Sequence, residues 1–392
     1  MGFVRNERRR RYYLALLLMS NVCASAAWGM LSPAIIANCV ERGTSTFVIG
    51  ILTSTWALPF LIGAPLYTRI VGRFNAKSCL LIGMLTNVGS LWLFPLVPND
   101  WAWILFQFIG GATLGHFSLI TEAWLNLFST ERTRGRVTSL YGVFPAIGYA
   151  VGAGIYIVVG YRGFAPFLSA SAVMAIGIVP ILLIPNEAAA IVLGGEERLR
   201  HAFRQIPLLL TMAFLAGVLE MVPWSLLQVY AIDNQWSVRA AGLVLPVFYW
   251  GQVLLTFPIG LLADRVPRRN VLLGTSAAAI LCMGGMVLLA RSPAYWGITF
   301  ITGGIATGTY TLGLAILGQR FDAATLVSAN AAFLVCYGAG TIVGPPLVGA
   351  LMDRLGTTAL PAALAFVSAA IFLCASAARL EWKGRPSPAA PS

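Results

Sequence analysis

From residue 12 to residue 379 the chain alternates between long apolar stretches and short polar connections, and charged residues are almost confined to the connections. A helix that crosses a bilayer needs about 20 mainly apolar residues, because each residue advances about 1.5 Å through hydrocarbon about 30 Å thick. Twelve stretches reach that length, roughly 12–38, 47–71, 78–97, 102–128, 137–160, 164–185, 207–232, 240–263, 270–290, 295–319, 327–352 and 360–379. Only 10% of all residues are charged and the mean hydropathy is +0.81, so lipid is the solvent for most of this chain. The stretches are too long for tilted β-strands and lack the alternation of a barrel. Backbone groups in hydrocarbon must be satisfied within their own segment, which selects helices. The predicted fold class is therefore an all-α polytopic membrane protein with twelve transmembrane helices.

The formal net charge of +12 invites a nucleic-acid reading, but the placement of the charges excludes it. With both termini on one side, the opposite loops hold only Arg42, Arg162, Arg239, Arg291 and Arg354 of the 26 Lys and Arg residues. The remaining 21 share the side of the termini, the positive-inside bias that places both termini in the cytoplasm. Arg8 to Arg11 begin that pattern as a topology anchor beside anionic membrane lipids. The apolar run after them is too long for a signal peptide and no small-residue cleavage site follows, so it reads as a retained first helix. Cys23, Cys39, Cys79, Cys282, Cys336 and Cys374 lie within or at the ends of spans without C-x-x-C spacing. They read as reduced packing residues, neither a disulfide framework nor a metal site. No G-x-x-x-x-G-K-[ST] phosphate loop occurs, the two histidines are far apart, and buried polar residues are few. An ATP-driven pump and an enzyme are both excluded on this reading, and no cofactor is expected.

Two features divide the chain. The longest polar interruption, residues 186–206, separates six spans from six and is expected to form a short cytoplasmic surface helix. The expected domains are 1–185, the linker 186–206, 207–379 and a cytoplasmic tail 380–392. Glycines also repeat: Gly148, Gly152 and Gly154 in the fifth span answer Gly340, Gly344 and Gly349 in the eleventh, with Gly152 and Gly344 192 residues apart. Small residues at this spacing let helix backbones approach where lipid supplies no hydrophobic drive. Pro345, beside Gly344, gives a place to bend.

The loop Gly260-Leu-Leu-Ala-Asp264-Arg265-Val-Pro267-Arg268-Arg269 resembles the signature G-x-L-A-D-R-x-G-R-R of the major facilitator superfamily, between its helices 8 and 9. A damaged echo, Pro65 to Phe74, falls where that family carries its first copy. The run Glu122-Ala-Trp-Leu-Asn126, followed by Arg132-Thr-Arg134-Gly-Arg136, is similar to the YcaD-like branch of bacterial transporters. The resemblance implies two pseudo-symmetric six-helix bundles, a monomer in the bacterial inner membrane, and secondary transport of a small molecule by alternating access. It also exposes departures. Arg69 stands where the first loop copy usually has Asp, although Gly72 and Arg73 survive. Gln107 replaces an Arg of proton-coupled members, and Pro267 replaces the usual Gly of the second loop copy.

Charge placed in hydrocarbon costs several kcal/mol, so ionisable residues inside spans are candidate functional groups. There are three: His116 and Glu122 in the fourth span and Glu220 in the seventh. Glu220 lies thirteen residues into its span, about 20 Å deep at about 1.5 Å per residue, with Trp224 and Gln228 following at i+4 and i+8. A carboxyl at that depth is either neutral or paired, which suits proton coupling or recognition of a cation; a neutral acid bonded to a neighbouring helix is the alternative. His116 titrates near neutral pH if water reaches it, or else bonds to a helix backbone. Glu122, near the cytoplasmic end of its span, shares a stripe with Ser118 and Asn126. In related transporters an acid near this place pairs with loop arginines as part of the inward gate, which makes Arg69, Arg73, Arg132, Arg134 and Arg136 its candidate partners; proton carriage is the other reading.

Asp264, with Arg265 and Arg268, is expected to hold the same side shut, against the start of the fifth span or the Arg132–Arg136 cluster. Asp322 is the candidate partner of Arg69. Asn21, Ser25, Trp28 and Ser32 share a sector of the first helix, and Tyr141, Tyr149 and Tyr156 a face of the fifth. Tyr249, Trp250, Gln252, Tyr310, Asn330 and Tyr337 are the cavity candidates of the second half, with packing as the alternative for each. No Arg or Lys lies inside a span, so the site suits a neutral, aromatic or cationic solute. Proton-coupled export is the expected function. Uptake by symport or facilitated diffusion is the alternative within transport, and a non-transporting sensor or assembly factor the alternative outside it.

Overall fold

The computed structural model describes residues 7–59, 61–63, 75–128, 131–185, 206–321 and 323–377. The chain is a helical bundle, and no strand occurs among the described residues. In the first half, helices α1 (Glu7–Glu41), α2 (Thr46–Ser54, continued by a 3-10 turn Thr55–Ala57), α3 (Ala76–Leu96), α4 (Asp100–Phe128), α5 (Glu131–Val159) and α6 (Ala165–Leu182) follow in order. In the second half come α7 (Pro207–Asp233), a single turn Val238–Ala241, α8 (Val244–Arg265), α9 (Arg268–Leu288), α10 (Ala294–Arg320), α11 (Ala323–Leu355) and α12 (Ala359–Ala377). Eleven helices among the described residues are long and apolar enough to cross a membrane. The expected span not among the eleven is α5, whose apolar segment within the described residues is Val143–Val159. The expected linker and tail lie outside the described residues, apart from Ile206.

Local sequence sets the helix starts. The Asn75 side chain accepts from the Ser78 N–H at 2.7 Å at the start of α3, and Asn99 accepts from the Trp101 N–H at 3.0 Å before α4. Pro207 opens α7, where a missing N–H is harmless.

The halves repeat one packing scheme. Helix α1 packs on α5 and α6, and α7 on α11 and α12; α3 meets α4 and α6 as α9 meets α10 and α12. The glycine repeat is the physical basis of the closest pairs. A methyl at Gly148 would collide with the carbonyl of Val22, and one at Gly340 with the carbonyl of Phe214. Positions 148 and 340, and their partners 22 and 214, are both 192 apart, so the sequence repeat is a repeat of helix contacts. The lipid-facing surface is apolar, with Leu288 84% and Val158 82% exposed.

The Glu41 end of α1 is pinned within its own half. Glu41 accepts from the Arg162 guanidinium at 2.6 Å and the Tyr161 hydroxyl at 2.5 Å, both in the loop after α5. Arg42 donates to Asp100 at 2.6 Å with its guanidinium 3.9 Å from the centre of the Trp103 ring. The second half answers with Thr357, after α11, donating to Asp233 at the end of α7. The two halves touch each other toward this same end. Tyr156 of α5 donates to the carbonyl of Val238 at 3.1 Å, and Gln228 of α7 to the carbonyl of Pro33 in α1 at 2.9 Å.

Candidate functional site

Glu220 lies midway along α7, one residue after Leu219, whose carbonyl Pro223 cannot serve because proline has no N–H. Its two carboxyl oxygens are taken by different helices. Gln252 of α8 donates to Oε1 at 3.0 Å, and the Tyr337 hydroxyl of α11 donates to Oε2 at 2.8 Å. Three helices of the second half thus converge on one acid, from residues 117 positions apart at the extreme.

Two groups of aromatic rings gather on the helices that hold the acid. In one, Trp224 lies with its ring centroid 5.3 Å from Tyr149, 5.7 Å from Tyr249 and 6.4 Å from Phe248. Tyr149 and Tyr249 lie 4.6 Å apart. In the other, Tyr310 lies 4.6 Å from Tyr337 and 5.8 Å from Phe333. Tyr249 and Tyr310 are both close enough to feel the Glu220 charge. Tyr149 belongs to the first half, so the first group crosses from one bundle to the other. Gly29 allows it: a methyl there would stand 2.8 Å from the Tyr149 Cα.

The structure separates some residues that periodicity groups. Gln228 does not join Glu220; it is fully buried against Pro33, two turns along α7, and seals the two halves. Ser25 packs at the α1–α5 seam, its Cβ 2.6 Å from where a methyl on Gly148 would sit. Trp28 lies over Gly110 of α4, with its indole N–H buried and without a hydrogen-bond partner among the described residues. Asn21 and Ser118 meet the hydroxyl of Tyr141, which lies in the field of Glu122. Tyr310 of α10 lies in the field of Glu122 as well as that of Glu220.

Arg69, Arg73 and Asp322, and the side chains of His116, Asn126, Arg132, Arg134 and Arg136, lie outside the described residues. Asp264 and Arg265 are exposed at the end of α8. Arg268 instead donates to the carbonyl of Ala315 in α10, and Arg269 to that of Ala375 in α12 at 2.8 Å. These two arginines place positive charge near helix C-termini and tie three helices of one half together. Among the described residues no group of three metal-ligand side chains forms.

Sequence reading missed Phe248 and Phe333. A signal was present, since each stands at i−4 from a chosen residue, Gln252 and Tyr337, and so shares its helix face. The assembled site offers one acid with both oxygens engaged by donors, and two aromatic groups on the same helices. Ring faces attract cations electrostatically, and the acid adds a full charge.

The sequence profile of the family described as Major Facilitator Superfamily matches residues 17–233 and 209–392. The chain is 27% identical over 355 residues to the Uncharacterized MFS-type transporter YfkF of Bacillus subtilis (strain 168), covering 88% of this chain and 89% of that one. It is 23% identical over 357 residues to the Uncharacterized MFS-type transporter YcaD of Escherichia coli O139:H28 (strain E24377A / ETEC), covering 90% and 92%. Its fold matches the crystal structure of nucleoside transporter NupG with a TM-score of 0.77 at 17% identity, over 95% of this chain and all of that one. It also matches a bacterial homolog of the human lysosomal transporter Spinster, with a TM-score of 0.73 at 16% identity over 96% and 99%. At such identities the structural likeness fixes the fold alone. Matched along nearly its whole length, and built from two halves that repeat one helix-packing scheme, the chain belongs to the major facilitator superfamily.

Proposed function

We propose that this member of a transporter family exports a small neutral, aromatic or cationic organic solute in exchange for protons, by rocking of its two halves about Glu220. The observation that carries this reading is the Glu220 carboxyl held by Gln252 and Tyr337, with two aromatic groups on the same helices. An ionised carboxylate accepts from both donors at once. A protonated one carries an O–H that has to donate, and a proton on Oε2 makes the Tyr337 hydroxyl turn to accept or leave. A proton on that oxygen therefore disturbs α11, which packs against α2 of the other half. A cation that replaces the proton restores the two-donor arrangement. Proton and solute then compete for one acid, which is the requirement for exchange.

Glu122 is assigned as the gate acid on the first half, beside Tyr141, and Asp264 and Arg265 as gate residues of the loop after α8. The Arg and Lys distribution supports placing both termini in the cytoplasm of a bacterial inner-membrane protein. The chain is expected to act as a monomer.

Proteoliposomes carrying a pH gradient test the reading, with a panel of aromatic and cationic solutes scored for solute-driven proton flux. Wild-type protein is expected to couple flux to at least one cation, and Glu220→Gln to lose the pH dependence. Solute movement that is independent of pH in both proteins refutes proton coupling, and movement with the gradient reversed assigns uptake.

A further inference from the structure

Helix α11 ends on a pattern that the loop after α8 also carries. Gly349-Ala-Leu351-Met-Asp353-Arg354-Leu-Gly356 repeats the spacing of Gly260, Leu262, Asp264, Arg265 and Pro267, yet it lies at the opposite end of the bundle, the Glu41 end. There Asp353 meets the start of α2 in the other half. Its Oδ1 accepts from the Thr46 N–H at 2.8 Å and the Thr46 hydroxyl at 2.7 Å, and its Oδ2 from the Phe47 N–H at 3.0 Å.

The local reason lies in how α2 begins. The first N–H groups of a helix have no partner within it and carry partial positive charge. Ser45, the residue before α2, accepts from the Val48 N–H, and its side chain also bonds to Asp353. Thr46 and Phe47 are left to Asp353, so α2 completes its first turn with a carboxylate from the opposite half. The backbones come close enough because side chains are missing. A methyl at Gly349 would collide with the Thr46 carbonyl, and one at Gly50 would stand 2.5 Å from the carbonyl of Pro345. The equivalent seam on the other side of the bundle, Tyr156 with Val238, is joined by a neutral hydrogen bond at 3.1 Å.

We propose that Asp353 is the charged latch of this face: its contact with the first turn of α2 holds the halves together there, and opening the face requires that contact to break. The proposal rests on the reading of the chain as two halves that rock, and it deepens that reading by naming the residue that controls one gate. Among the described residues the other bonds between the halves at this end, Tyr156 to Val238 and Gln228 to Pro33, are neutral.

The test reads conformation without any solute. Thr53 lies two turns further along α2 on the face of Thr46, is 6% exposed, and its hydroxyl is bonded within its own helix, so Thr53→Cys is a mild probe. In a background freed of the six native cysteines, modification of Thr53→Cys by a membrane-impermeant maleimide reports opening of this face. Asp353→Ala is expected to raise the rate at least tenfold, the equivalent of about 1.4 kcal/mol. Asp353→Asn, which keeps shape but loses charge, is expected to raise it less, and it serves as the readout if the alanine variant does not fold. Unchanged rates in a folded Asp353→Ala or Asp353→Asn variant overturn the latch. A tenfold rise in a chain that moves none of the tested solutes keeps the latch and counts against the transport reading alone.

Discussion

Removing the Tyr337 hydroxyl isolates the link between the acid and the aromatic site. In Tyr337→Phe the ring stays against Tyr310, 4.6 Å away, while Glu220 Oε2 loses its donor at 2.8 Å and Oε1 keeps Gln252. A hydrogen bond to a charged group is worth about 1.5–3 kcal/mol. A cation binds to the ionised acid and so benefits from both donors, whereas the protonated acid does not need them. Apparent affinity for a cationic solute at fixed pH should therefore fall by roughly 10- to 150-fold, at about 1.4 kcal/mol per decade. Quenching of tryptophan fluorescence by a quaternary aryl ammonium compound is a direct assay, because Trp224 is part of one of the aromatic groups. The decisive measurement is the double-mutant cycle. In a Glu220→Gln background the Tyr337→Phe step should cost little, giving a coupling of about 1.5–3 kcal/mol between the two positions. An equal loss of affinity from Tyr337→Phe in both backgrounds refutes the idea that Tyr337 acts through the acid.

Two further outcomes test the architecture. Gly340→Val, which puts a branched side chain against the Phe214 carbonyl, should lower the melting temperature in detergent, with overpacking costing about 1–3 kcal/mol; Gly154→Ala, inside a helix with open space around it, should not lower it. Arg42→Ala should destabilise the first half, since it loses both the Asp100 bond and the stacking on Trp103; Arg42→Lys should recover only part of the melting temperature, because an ammonium does not reproduce the flat guanidinium over the ring.

The sequence alone determined the class, the repeat and the chemical poverty of the interior. Each of these is a short-range or additive property. Helix length in lipid follows from runs of apolar residues, glycine spacing marks a face on a single helix, and the depth of Glu220 follows from counting residues along one axis. The tertiary structure decided which of those faces meet. Periodicity places Glu220, Trp224 and Gln228 on one side of α7, but the halves pack so that Glu220 turns to Gln252 and Tyr337 while Gln228 is taken by Pro33. Tyr149 becomes part of the acid's surroundings only because α5 crosses α1 at Gly29 and reaches α7. Asp353 carries the pattern of a loop acid, and no count along the chain reveals that its partner is the unfinished first turn of α2, 306 residues away. Such pairings depend on the rotation and crossing of whole helices, which in lipid are set by close packing and hydrogen bonds between distant segments, not by the hydrophobic pattern of any one of them.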